Sequence, residues 1–408
     1  MEMTTKERIL EAAFSFYRDI VFDNISLSQI AAKVGITKPA IFKHFKNKEA
    51  LRQAMDDRVF SEISFVMEQM DSLFKESKHA SALSLIIDFL ASHREYAFYL
   101  LSTTPLITED SIFLELRRRG VNLFNSIFAE DGSVLNTQSY FLTIFESATF
   151  ICFLLFWFDA EDAGFVTEQN KEQFISKFNF FIENGLDSLT PITNAEQLAN
   201  IDLRCNEVLG QLPPISRTFL ALASVIEQKG VQNVTVEAIA GELGLAKSSL
   251  YSSYKNKEDM LRNLIQTEVG QLYLSVLRNV RLFESVSEKI YAMFCTEIRY
   301  FISRPQVITV LQRLFFSGVA LKEEVKSYLE HNTNCGNKDR SLEELFSKEL
   351  VLAVPDVGLP NLNSEMLVSW LFSLPAMLYM HCTFHGFSEK LMVQAVQETY
   401  LHLAYGLK

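Results

Sequence analysis

Glycine and proline are scarce in this 408-residue chain, at 15 and 9 residues, and strand-like alternation of apolar and polar residues is hard to find. Those shortages argue against turn-dense all-β architectures and leave an all-helical protein as the expectation. Cysteine is sparse and scattered, at positions 152, 205, 295, 335 and 382, with no C-x-x-C pair and no even framework. Reduced thiols, and a cytoplasmic location, are the simplest account. No Gly-rich phosphate loop or nucleophile elbow occurs, so neither an enzyme nor a cofactor is expected. His381 and His385 stand at i, i+4, but without a nearby Glu/Cys set ordinary packing is preferred to a metal site. A signal peptide is not expected, because MEMTTKERILEA is charged and leads straight into an amphipathic pattern.

Long segments rich in Leu, Phe, Ala, Glu and Lys fill the chain, which is long enough for two domains or more. Two apolar runs approach membrane length, YFLTIFESATFICFLLFWF at 140–158 and MLVSWLFSLPAMLYMHCTF at 366–384. The first contains Glu146 and the second Pro375 and His381, so buried helices are expected and no membrane partner. The net charge of −12 is unevenly spread: 1–52 holds nine Lys/Arg against six Asp/Glu, and 213–262 holds six against five. Within 37–48 there are four Lys and no acid, and within 246–257 three Lys and no acid. Local potential, not the total, governs docking on phosphates within a Debye length of about 10 Å.

Those two basic islands are copies of one another. VGITKPAIFKHFKNKEAL (34–51) and LGLAKSSLYSSYKNKEDM (243–260) align without a gap at an offset of 209, and eight of the twenty positions from 30 to 49 are identical. A period of 209 is far too long for a solenoid and suits a duplicated domain. In the first copy Ile9, Ala12, Ala13 and Phe16 share one helical face. Ser26 is then expected as an N-cap and Gly35 as a helix stop. A third helix opens at Thr37 with Pro39 in its first turn, where proline is tolerated. In the second copy Thr235 and Gly244 take the cap and stop positions. Long helical patterns follow each copy (about 48–76 and 257–280), and each half closes with its apolar run and a last amphipathic helix, near 168–189 and 388–406. The joint between halves, 190–216, has Pro at both ends and a middle able to form a helix.

Helix, short turn with Gly, then a second helix is the geometry of a helix-turn-helix. Ile36, Ile41 and Phe45 fall on one face of the third helix as anchors, leaving Thr37, Lys38, Ala40, Phe42, Lys43 and His44 outward. Such a helix fits the DNA major groove, about 12 Å wide. Lys38 and Lys43 can reach guanine edges or phosphates, and the Ala40 methyl a thymine methyl. Lys46, Lys48 and the following helix N-terminus suit phosphates.

At this point the sequence resembles the TetR family of bacterial transcriptional regulators, in the helix-turn-helix followed by an aromatic, a basic KNK and an acidic residue. The resemblance is specific over about 4–52 and 213–262; elsewhere it rests on length, helix content and layout. It implies two TetR-like halves fused in tandem as an intrachain pseudo-dimer. The parts are a head at 1–50, an effector and dimerisation domain at 51–189, a linker at 190–212, a second head at 213–259 and a second helical domain at 260–408. The implied partners are a double-stranded DNA operator and a small, apolar effector, with further self-association left open. A repressor is the expected role. A co-regulator acting through protein contacts, with one or both heads off DNA, is the alternative.

The resemblance carries DNA contacts to Ser28, Lys38, Pro39, His44 and Lys48, and the outward face of the third helix adds Thr37, Ala40, Phe42 and Lys43. In the second half they pass to Ala246, Lys247, Ser248, Ser249, Tyr251, Ser252, Ser253 and Lys257. The first half departs from the pattern at Phe42, where the family usually has Tyr, and at Val21, a usual Gly. The second restores both, as Tyr251 and Gly230, and departs at Glu237, where a charge near phosphate would repel. Unequal half-sites, with weaker binding by the second head, are the expectation. Of 34 Phe, 24 lie in 1–209, read either as a Phe-rich core or as an aromatic effector pocket with Phe89, Phe98, Phe113, Phe124 and Phe128 as candidates. The RRRG at 117–120 reads as a solvated helix face.

Overall fold

A computed structural model describes residues 3–17, 25–75, 79–103, 112–122, 125–129, 131–162, 167, 171–186, 189–316, 342 and 364–406. Among them the secondary structure is helical apart from one isolated bridge between Phe128 and Val134. The chain divides into two compact units, Met1–Asn136 with Trp157–Asp162, and Thr137–Phe156 with Ala163–Lys408.

The first unit opens with α1 (Thr5–Phe14), α2 (Leu27–Val34) and α3 (Lys38–Phe42), followed by α4 (Lys48–Lys75), α5 (His79–Ser92), α6 (Arg94–Thr103) and α7 (Ile112–Arg118). Thr4 and Glu7 form a capping box that starts α1, satisfying two otherwise orphaned N–H groups. The helix stops at Phe14, so its 3.6-residue period does not reach Phe16. That ring lies half-buried in the following turn, with the Lys33 ammonium 4.6 Å from its centroid. Phe14 and Tyr17 take the buried places instead, packing on Tyr96 and Tyr99 of α6 at centroid distances of 4.8 to 5.4 Å. Arg58 of α4 reaches Glu11 of α1 at 3.0 Å and Tyr96 at 2.9 Å. The arginines of RRRG are taken up locally: Arg119 pairs with Glu115 at 2.7 Å and Asp57 at 3.0 Å, and Arg117 binds Asn125 and the Ala129 carbonyl.

The second unit holds residues 137–156 of α8 (Thr137–Asp162), then α9 (Lys171–Asn184), α10 (Ala195–Gly210), α11 (Arg217–Lys229), α12 (Val236–Glu242), α13 (Lys247–Tyr251) and α14 (Lys257–Val280). After these come α15 (Val286–Ser303), α16 (Pro305–Phe316), α17 (Ser364–Phe384) and α18 (Glu389–Tyr405). Its centre is α15, buried from Lys289 to Ile298 without a break and packed by α10, α14, α17 and α18. A helix enclosed on nearly every side is apolar on nearly every side, and its polar residues need partners. Arg304 pairs with Glu268 at 3.2 Å, both almost fully buried, and also binds the Pro213 carbonyl. The middle of the joint is α10, docked by fully buried Ile201 and Cys205 and by Arg299 to Asp202 at 3.1 Å. It is therefore not an extended tether.

Within this unit the two apolar runs meet. Tyr140 of α8 lies 3.1 Å from His381 of α17, and Cys152 lies 3.2 Å from Ser373. Leu186, just past α9, donates to the Leu403 carbonyl of α18 at 2.9 Å. Backbones cross closely there: a Cβ on Gly185 (φ +70°) would lie 2.6 Å from the Gly406 nitrogen, so only glycine fits. Among the described residues no helix is long and apolar enough to cross a membrane.

Burial, with a smaller push from neighbouring His385, lowers the His381 imidazole to about 3. Such a group contributes stability that is complete above its unfolded value near 6.5 and is lost as pH falls. Glu146 runs the other way: burial raises it to about 7, so its contribution is present at low pH and lost as pH rises. Comparison with His381→Gln isolates the imidazole. The difference in unfolding free energy between the two proteins should shift by about 2 kcal/mol against the natural chain between about pH 7.5 and about pH 5. An unchanged difference in denaturant titrations would mean that the folded state accepts the proton freely.

Candidate nucleic-acid interface

Each head is built from short helices whose ends are fixed by local chemistry. In the first, Ser26 accepts from the Gln29 N–H at 3.2 Å while the Gln29 side chain accepts from the Ser26 N–H at 2.7 Å. The helix ends at Gly35 in the left-handed region (φ +77°), and Ile36 donates back to the Ala31 carbonyl at 3.0 Å, a Schellman-type closure that favours glycine. The chain leaves at a sharp angle and re-enters helix at Thr37, the N-cap of α3, with Pro39 in the first turn. Ile41 and Phe45 are buried and anchor α3; Ile36 is only half-buried.

That anchoring leaves Ser28, Thr37, Lys38, Pro39, Lys43 and His44 exposed, Ala40 half-buried and Phe42 exposed. No carboxylate of the described residues pairs with Lys38, Lys43 or Lys46. Lys48 is half-buried at the first position of α4. Sequence reading passed over what fixes this position: the Asn47 side chain accepts from the Ala50 N–H at 2.8 Å and starts α4. An Asn three residues ahead of a free helical N–H is the local pattern that marks it. Val21 lies outside the described residues.

The second head repeats the design. Thr235 caps α12 by accepting from Ala238 at 3.0 Å, Gly244 takes φ +68°, and Leu245 donates to the Ala240 carbonyl at 2.9 Å. Leu250 is the buried anchor of α13. Ala246, Lys247, Ser248, Ser249, Tyr251, Ser252 and Ser253 are all exposed, and Lys257 is half-buried at the start of α14, which Asn256 caps through Asp259 at 2.7 Å. Gly230 sits at φ +76° after α11.

The surfaces differ where the sequences differ. Glu237 forms an ion pair with Lys247, whose ammonium also lies 5.3 Å from the Tyr251 ring centroid. The hydrogen bond between them raises the Lys247 pKa and lowers that of Glu237. The Ser252 hydroxyl donates to the Ser249 carbonyl at 2.7 Å. The second head therefore presents one self-neutralised lysine where the first presents Lys38 beside Lys43.

Of the five phenylalanines read as a core or a pocket, the described ones have different surroundings. Phe89 borders an open groove of about 490 Å³ between α4 and α5, with Ser61, Glu62, Phe65, Val66, Gln69 and Leu85. Phe98 stacks on Phe158 at 5.4 Å, Phe128 is buried at the bridge to Val134, and Phe113 is half-buried on α7. Core contacts occupy the Phe98 and Phe128 rings, and Phe124 lies outside the described residues.

Comparison with protein families matches both heads. The family model described as "Bacterial regulatory proteins, tetR family" matches residues 9–55 and again 220–264. A 64-residue stretch is 34% identical to the A-factor receptor protein of Streptomyces griseus, covering 16% of this chain and 23% of that relative. The matched ranges hold α2, the turn and α3 in one half, and α12, the turn and α13 in the other. The chain carries the DNA-binding head of the TetR family of transcriptional regulators twice, at 9–55 and at 220–264.

Proposed function

We propose that the chain is a cytoplasmic repressor, without enzymatic activity, whose two unequal heads read the two half-sites of one imperfect palindrome as an intrachain pseudo-dimer. The observation that carries this reading is the outward set on α3 and α13: Thr37, Lys38, Pro39, Phe42, Lys43 and His44 and their counterparts are exposed in both heads, and all but the Lys38/Lys247 pair differ in side chain. A reader of successive major grooves needs two recognition helices about 34–36 Å apart, and a chain with two heads supplies both. The meeting of α8 with α17, and of α9 with α18, supports pairing of the two halves inside one chain.

Control by a small apolar effector completes the proposal. The groove bordered by Phe65, Val66, Leu85 and Phe89 offers apolar surface beside α4, the helix that continues from the first head. A ligand releases DNA only by its differential affinity for the arrangement that cannot bind, so the effector must favour splayed heads.

On a duplex selected from random sequence, Lys38→Ala with Lys48→Ala should abolish the gel shift at moderate salt. At lower salt it should flatten the slope of log affinity against log salt by about one unit per lysine. Unchanged binding would favour the co-regulator that works through protein contacts. Glu237→Ser restores the small polar residue that the first head has at Ser28 and frees Lys247 from its partner. It should raise affinity for the same duplex by about tenfold and steepen the salt slope by about one unit. Equal affinity and slope would mean that the second head stays off the DNA.

A further inference from the structure

Arg304 occupies the corner where α15 ends and α16 begins. Its guanidinium reaches two ways: one terminal nitrogen meets the Glu268 carboxylate of α14 at 3.2 Å, and the other donates to the Pro213 carbonyl of the joint. Arg304 is 7% exposed and Glu268 3%. Tyr300, one turn back on α15, donates to the Glu268 carbonyl at 3.0 Å, and its ring centroid lies 5.4 Å from Arg304 Cζ. We infer that Arg304 is a positioning residue for DNA binding, which locks the joint to the second helical domain and so fixes how the second head leaves that domain. The inference rests on the reading of the second head as a DNA reader.

The lever from this corner to the head is short. Ser216, close behind Pro213, caps α11 by accepting from the Phe219 N–H at 3.1 Å. Pro213 and Pro214 each hold φ at about −65°, and Pro214 keeps the residue before it extended. A fixed Pro213 carbonyl therefore fixes where α11 starts. α11 in turn packs on α12 and on α16, which leaves the same corner. Arginine suits the task because its planar fork serves a carboxylate and a carbonyl at once and stays charged when buried.

The first half is built otherwise at the same places. Val59 is the counterpart of Glu268 at the repeat offset, and it is fully buried. Ser92 and His93 stand before α6 as Ser303 and Arg304 stand before α16. The His93 Nδ1 lies 2.9 Å from the Phe89 carbonyl, a local contact. A valine cannot pair with a cation, so this clamp is specific to the half into which the joint runs.

The test uses the full chain and the duplex it selects from random DNA. Arg304→Met alone leaves the Glu268 charge buried and unpaired, so the deciding variant joins Arg304→Met to Glu268→Leu. Replacing a whole buried pair by apolar residues commonly keeps the fold. Without DNA, amide exchange over residues 211–220 should speed up about tenfold in that variant while α1 and α4 keep their natural rates. With DNA, the half-site that Lys247→Ala plus Lys257→Ala exposes in hydroxyl-radical footprints should lose its protection, and the other half-site should keep it. Affinity for the duplex should fall about tenfold, as for one mismatched base pair. The proposal is overturned if exchange over 211–220 is unchanged, or if both half-sites stay protected with natural affinity, as a purely structural role would leave them. If Lys247→Ala plus Lys257→Ala exposes no half-site at all, the second head reads no DNA. The two-reader account then falls and takes the DNA role of Arg304 with it, while exchange over 211–220 still shows whether the clamp itself stands.

Discussion

A helix of five residues cannot hold itself in water, because nucleation fixes several dihedrals for one hydrogen bond. Both α3 and α13 are that short. Their direction is set from outside, by the left-handed glycine before them and by buried apolar anchors, Ile41 with Phe45 in the first head and Leu250 in the second. What the heads show to DNA depends on that constraint. It also sorts the repeat: Ile30/Ile239 and Ala31/Ala240 are buried and Gly35/Gly244 make the turn, and all three pairs are identical. Thr37, Pro39, Ala40, Lys43 and His44 face outward and all differ from their counterparts. The turn and its two buried supports are kept, as are the exposed Lys38, Lys46, Asn47 and Glu49, while most of the outward face of α3 has diverged.

The second unit solves a different problem. Its central helix is enclosed, yet several polar groups are enclosed with it. Asn279 links Cys205 and Thr296, and Arg304 ties Glu268 to the Pro213 carbonyl. Breaking a buried ion pair on one side leaves an uncompensated charge, typically costing about 3–5 kcal/mol. These contacts join α10 to α14 and α15, so the joint leading into the second head is part of that head's support. Glu297 is fully buried and, among the described residues, finds no hydrogen-bond partner. Burial holds its carboxyl well above the usual range.

Local features were legible in the sequence. Ser26, Gly35, Thr235 and Gly244 act within four residues of themselves, so cap and stop could be read from neighbours alone. The long helices after each head, and the outward set on α3 and α13, followed from the 3.6-residue period once those ends were placed. Phe16 was misread because the period was carried two residues past a helix end. The sequence left the phenylalanines open between a core and a pocket for a longer-range reason. Whether Phe98 borders a cavity or stacks on Phe158 depends on a partner sixty residues away, and no spacing rule reaches that far. The burial of Cys205 and the pairing of Arg304 with Glu268 are likewise products of tertiary contact.

The central claim is that one chain brings two different readers to one site. Selection of preferred duplexes from random DNA tests it most directly. Two half-sites about one helical turn apart and unequal in sequence are the predicted result. A perfect palindrome would contradict the account, since it would mean that two whole chains assemble and each lends the same head.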